Sequence, residues 1–354
     1  MRKALLTALI ALILAFSLAP IAGAQDDMTL CYNYSEADCA ALTSAFDNMN
    51  NISSATMTVS GSFAVGGTEM LDPTLAGLEG TFEVTGGFDL GTDAFALDLN
   101  ASGNFGEGPD EMVLGFRVVD GVVYMTNVDT GAWEGASIAD GIASGEIEAE
   151  QVQQVLDAAN LGELFGLLTD VATEGAGSLG ALAGAGAAGA GDMQDLAMLP
   201  GFITQTRLAD EDMMGQAMSP FSTDIDFSVL LADAEFQEMI GAFAALAGGG
   251  LGGDGGAETA QMAMLIPMLL QGIEATANYT IWVGADDNFV HRMTFDFNAS
   301  LDLGALFGAA GGGDSDVQLP PVTVVAGLVF DLGGINGGFS TEAPAGATMI
   351  DPSG

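Results

Sequence analysis

Residues 279–301 constrain this chain more than any other stretch. Two runs of alternating polarity flank the turn residues Gly284, Ala285, Asp286, Asp287 and Asn288. In the second run Met293, Phe295, Phe297, Ala299 and Leu301 share one face, and Arg292, Thr294, Asp296, Asn298 and Ser300 share the other. A period of two sustained over that length marks a strand with one buried and one wet face. The turn residues accept left-handed or Asx geometry, so the two runs are expected to pair as one hairpin. Arms of about eight to ten residues imply a large antiparallel sheet rather than a catalytic loop.

The same alternation recurs along the chain. Ala55, Met57, Val59 and Phe63 alternate with Thr56, Thr58, Ser60 and Ser62. Phe82, Val84, Phe88 and Leu90 mark a second strand, and Phe95, Leu97, Leu99 and Ala101 a third. Strands at 112–119 and 122–128 meet at Asp120-Gly121, the cleanest hairpin signal present. A meander of about five strands is the economical reading. The segment from Thr130 through Trp133 is read as irregular. Further strands are expected at 202–208, at 223–231, where Ile225, Phe227 and Val229 alternate with Asp224, Asp226 and Ser228, and at 322–330.

Helical periodicity intervenes. Residues 25–53 form a short head in which Ser35, Glu36, Ala37 and Asp38 resemble a helix start, followed by the stripe Ala40, Leu42, Ala45, Phe46 and Met49. Helices are also expected at 146–170, 233–246 and 258–273, the last rich in Met and Leu and kinked or divided at Pro267. Gly/Ala-rich insertions lie near 172–191, 248–256 and 308–315. Residues 54–350 are read as a single domain. Its two strand-rich halves could form two sheets or one curved sheet.

The first residues suggest export. Met1-Arg-Lys, an apolar run over 4–18, Pro20 and Ala22-Gly23-Ala24 match a signal peptide over 1–24, leaving Gln25 at the mature terminus. An uncleaved anchor is the alternative. No cysteine stands where a lipid could be attached, so the exported protein is expected without a lipid anchor. The two cysteines, Cys31 and Cys39, are expected to form a disulfide in the head.

The net charge of −43 excludes nucleic acid and anionic membrane surfaces as partners. Such an acidic surface stays hydrated at high salt, where its self-repulsion is screened, and a saline habitat accounts for it. A hydrophobic fraction of 49% argues against disorder throughout.

Little in the sequence points to chemistry. His291 is the single histidine and lies in a strand without a nucleophile elbow. One imidazole and two bridged cysteines make no zinc site. Neither Asp286-Asp287-Asn288 nor Asp210-Glu211-Asp212 supplies a calcium loop, and the Gly-rich runs lack the lysine of a phosphate loop. The reading is therefore non-enzymatic, without metal or cofactor. The apolar excess is more suggestive. The Met-rich helix over 258–273 either fills a core or lines a cavity for a flexible apolar ligand.

The hairpin from Tyr279 to Phe295, the segment Gly121-Val-Val-Tyr124 to Gly131-Ala-Trp133, and the tail Phe339-Ser-Thr-Glu-Ala-Pro344-Ala-Gly-Ala resemble exported proteins related to the LppX/LprAFG lipoproteins, whose fold is like that of the carriers LolA and LolB. The resemblance implies an α+β fold: a strongly curved antiparallel sheet, an unclosed barrel, with helices packed on the concave side. It also implies that acyl chains can lie between sheet and helices. By position the lining would come from Phe95, Leu97, Val122, Tyr124, Met264, Met268, Met293, Phe295 and Phe297. The expected function is to bind or carry a lipid or other apolar molecule. A cell-envelope interaction module with a filled core is the alternative.

Overall fold

The computed structural model describes residues 33–68, 77–92, 94–104, 109–127, 130–139, 201–213, 215–233, 273–302 and 320–350. The leader, Cys31, the helices expected at 146–170, 233–246 and 258–273, and all three Gly/Ala-rich insertions lie outside them.

A helix, α1 (Glu36–Met49), opens the described chain. The Ser35 side chain accepts the Asp38 backbone N–H, and Glu36 and Asp38 supply negative charge to the first turn, as the sequence anticipated. The meander follows: β1 (Ser54–Gly66), β2 (Glu79–Asp89), β3 (Ala94–Asn104), β4 (Pro109–Val119), β5 (Val122–Thr126) and β6 (Trp133–Ser137). Then come β7 (Ile203–Arg207), β8 (Glu211–Met213), β9 (Gln216–Asp226) and a short helix, α2 (Phe227–Ala232). The hairpin β10 (Ile273–Gly284) and β11 (Val290–Leu301), β12 (Val322–Gly333) and the two-residue β13 (Thr348–Met349) complete the set.

All the strands join one 13-stranded sheet in the order β13-β6-β5-β4-β3-β2-β1-β12-β11-β10-β9-β7, with β8 beside β9. The two halves left open by the sequence are thus one curved, unclosed sheet, stitched where β12 pairs with both β1 and β11. Every pairing is antiparallel except β13 with β6.

Register divides the side chains between two faces. Pairs such as Phe82 with Ala101, Leu97 with Phe116 and Phe295 with Leu328 run one apolar face across the sheet. Ser60 with Glu83, Asn100 with Val113 and Asp296 with Gly327 run the other. The tight turn between β4 and β5 takes left-handed geometry at Asp120 (φ 50°) and Gly121 (φ 74°), which keeps the two strands in register.

Three local expectations are corrected. Residues 227–231 are not strand: the Asp226 carboxylate accepts the Ser228 backbone N–H at 2.9 Å and starts α2. Conversely, β9 begins at Gln216, through Pro220. Proline removes a ladder donor, but Pro220 sits where β7 has ended, and its carbonyl accepts from Leu208. The segment around Trp133 is a strand, β6, not an irregular stretch. The tail also adds a strand, β13.

That tail straps the polar face. Asn336 accepts from the Ser53 N–H and hydroxyl at 2.7 and 2.9 Å, and Gly338 N–H donates to the Ser54 hydroxyl. Phe339 donates its N–H to Asp89 and lays its ring on Gly87. The chain then reaches the far edge, where β13 covers β6 and Ile350 N–H bonds the Gly135 carbonyl. An otherwise open sheet edge is thereby partly occupied.

Candidate functional site

The apolar face has two zones. Under α1 it is sealed. Leu42, Ala45 and Met49 of the helix pack with Phe88, Phe221, Ile281, Val290 and Leu332, and all of these are 4% exposed or less. The helix stripe faces the sheet because these residues fall on successive turns. Polar contacts lock the closure. Asn48 Nδ2 donates to the Asn288 carbonyl at 3.0 Å, Asn288 Nδ2 donates to the Ser44 hydroxyl at 2.8 Å, and the half-buried Tyr34 hydroxyl donates to the Ser222 carbonyl at 2.8 Å. Burial pushes the Tyr34 phenol well above its usual pKa.

Beyond the helix the same face is half-buried. Phe63, Phe82, Phe95, Leu97, Leu114, Phe116, Phe297 and Phe330 all lie there with part of their surface accessible. Phe95 and Phe116 meet edge to face at 5.7 Å, and Phe227 of α2 meets Phe297 at 6.5 Å. This zone extends toward the end of the sheet where β7, β10 and β12 begin and β9 and β11 end.

Of the expected lining, Phe95, Leu97, Met293, Phe295 and Phe297 do share the apolar face. Met293 and Phe295 are buried, while the other three are half-buried. Val122 and Tyr124 are corrected: they lie on the opposite face. Pairing of Val119 with Val122 and Arg117 with Tyr124 puts Val123 and Met125, not their neighbours, on the apolar side. Tyr124 instead covers Gly135 beside Met349 of the strap. Met264 and Met268 fall outside the described residues.

The polar face carries a groove of about 760 Å³ crossing β11, β12 and β1 through β4. Ser60, Ser62, Thr81, Glu83, Asn100, Ser102, Glu111 and Asp296 line it, with Val113 and Val329. The sequence reading passed over it because these residues are the ordinary wet half of an alternating pattern.

His291 belongs to neither zone. It is the extra residue of a bulge between Trp282 and Val283, 7% exposed, with Nδ1 3.3 Å from the Leu332 carbonyl and Nε2 2.9 Å from Asp287 Oδ2. The Asp287 carboxylate packs directly on Gly284, where a Cβ would collide with it, with Gln216 and with His291. Burial works to raise the Asp287 pKa, but hydrogen bonds from Gln216, the Phe289 N–H and His291 outweigh it and hold it below the usual value. The pair fixes the hairpin turn under α1. No group of three or more potential metal ligands occurs among the described residues.

Comparison with known proteins places these features in context. No protein-family profile and no curated protein sequence matches the chain. Among solved structures it is similar to the lipoprotein LppX of Mycobacterium tuberculosis, at 12% identity and a TM-score of 0.28, over 86% of this chain and 97% of that one. It is similar to LprF of Mycobacterium bovis at 12% identity and a TM-score of 0.34, over 87% and 96%. A structure of lipid–protein interactions in lipovitellin aligns at 8% identity and a TM-score of 0.25, over 83% of this chain and 26% of that chain. The first two belong to the group that the hairpin and tail resemble. The fold class itself rests on the strand order and register above.

Proposed function

We propose that the chain is an exported, non-enzymatic protein that binds or carries a lipid or other apolar molecule against the half-buried zone of its apolar face. One observation carries this reading. The face continues unbroken from the sealed zone under α1 to Phe82, Leu97 and Phe116, which keep exposed surface on the same side of the same strands. Apolar surface left accessible next to a closed core favours an apolar ligand, since covering it is worth about 25 cal/mol per Å². The engagement of both His291 ring nitrogens supports a structural role for the sole histidine. The leader over 1–24 and a Cys31–Cys39 disulfide belong to the same exported reading.

Native extraction followed by lipid mass spectrometry tests it. The expected result is a co-purifying apolar molecule that is lost when Leu97, half-buried on the face, is replaced in Leu97→Glu. A ligand-free protein that also fails to take up added lipid would overturn the reading.

The second reading is an envelope interaction module with a filled core. The groove on the polar face favours it, since its wall includes Val113, 67% exposed. Binding confined to that groove would distinguish the two.

A further inference from the structure

The distribution of positive charge narrows the ligand. Of the five Lys and Arg residues, Arg2 and Lys3 lie in the first 24 positions, which leaves Arg117, Arg207 and Arg292 for the remainder of the chain, with no lysine. All three are placed among the described residues, and each is committed to a carboxylate.

Arg292 lies on the polar face and grips Asp331 through Nε at 2.5 Å and Nη2 at 2.9 Å, a pairing that raises its pKa further. Arg117, also on the polar face, donates to Asp98 and to the carbonyls of Leu97 and Phe116 while Trp133 covers it at 5.3 Å. Arg207 sits on the edge strand β7, bonded to Asp210 and Ser219 and close to Asp38 of α1. His291, the remaining titratable nitrogen side chain, is held by Asp287.

We infer that the molecule held on the apolar face carries no anionic group: it is an uncharged lipid or hydrocarbon rather than a phospholipid or a fatty acid. This rests on the carrier reading and specifies its ligand. A buried carboxylate or phosphate needs a cation or several donors, and no uncommitted side-chain cation exists anywhere past residue 24. Leaving the head group outside does not help. At the end of the sheet toward which the half-buried zone extends, Glu79, Glu274 and Asp302 are exposed, with Glu79 and Glu274 on the polar side by register, and the whole chain carries a net charge of −43. An anionic head group left outside meets a surface field of like charge.

The test compares fluorescent diacylglycerol with phosphatidylglycerol of identical acyl chains, each titrated into the full chain at about 0.15 M and about 1 M salt, where screening lengths are roughly 8 and 3 Å. Diacylglycerol is expected to bind at least about tenfold more tightly at the lower salt, a difference of about 1.4 kcal/mol in binding free energy. The exposed pair Glu79→Lys with Glu274→Lys is expected to narrow the gap without loss of diacylglycerol binding. Phosphatidylglycerol binding as tightly as diacylglycerol, or more tightly, overturns this inference and leaves the carrier reading standing. Binding of neither probe overturns the carrier reading, and this inference falls with it.

Discussion

Phe88 and Phe82 lie on the same strand and the same face, yet one is 1% exposed and the other keeps part of its surface accessible. The difference between them is α1. Around Phe88 the helix stripe, the hairpin turn and the strand ends converge into a core in which, among the described residues, no buried side-chain polar atom lacks a partner. Around Phe82 the sheet presents the same kind of side chain without that cover from the described elements. One end of the face therefore stabilises the fold, and the other retains accessible apolar surface.

The largest expected effect breaks the sealed zone. Phe221→Ala is expected to destabilise the protein by about 3–5 kcal/mol, since the ring is 1% exposed and leaves a cavity. Phe82→Ala is expected to cost only about 1–2 kcal/mol, because part of that ring already meets water, while weakening diacylglycerol binding. Chemical denaturation of both variants, with matched slopes, checks the pair. Equal losses would erase the distinction between the zones.

Next in size is the latch beneath α1. Asp287→Asn is expected to cost roughly 1–3 kcal/mol, because His291 loses its charged partner inside the fold. The wild type supplies a pH signature for the same contact. The Asp287 pKa is held below its unfolded value, so its contribution is complete above about pH 4 and is lost as pH falls through the lower folded value. Thermal melts from pH 6 downward should show an acid-dependent loss that shrinks in Asp287→Asn. An unchanged acid limb in the variant would remove this pair from the account.

The smallest effect concerns the helix itself. Ser35→Ala removes the cap from the Asp38 N–H and is expected to cost about 1 kcal/mol, read as a lower denaturation midpoint. Hydrogen exchange should then quicken first in α1 and the hairpin turn, and least in β2 and β3 near Phe82.

Alternation made β1, β2, β3 and β11 legible, because each strand wets one side. The Ser35 cap was legible for the same local reason: a hydroxyl followed by acidic residues is a helix start wherever it occurs. What escaped was non-local. Position within the resemblance puts Val122 and Tyr124 on the wrong face, and a strand of five residues carries too little polarity contrast to correct its own phase. Only the cross-strand register with β4 decides it. Pro220 obscured β9, since its tolerance depends on where β7 stops. The strap from Asn336 to Met349 was invisible as a structural element, because two residues of strand bonded parallel to β6 leave no periodic trace. The site was legible as a set of apolar positions, but the boundary between sealed and accessible positions depends on where α1 lands.

The central claim is that the apolar zone around Phe82, rather than the polar groove, receives the ligand. Side-chain NMR during titration with diacylglycerol measures this directly. The account predicts shifts at Phe82, Leu97, Phe116 and Phe297, with Phe88 and Phe221 unmoved. Shifts confined to Ser62, Thr81, Ser102 and Val113 of the groove would contradict it.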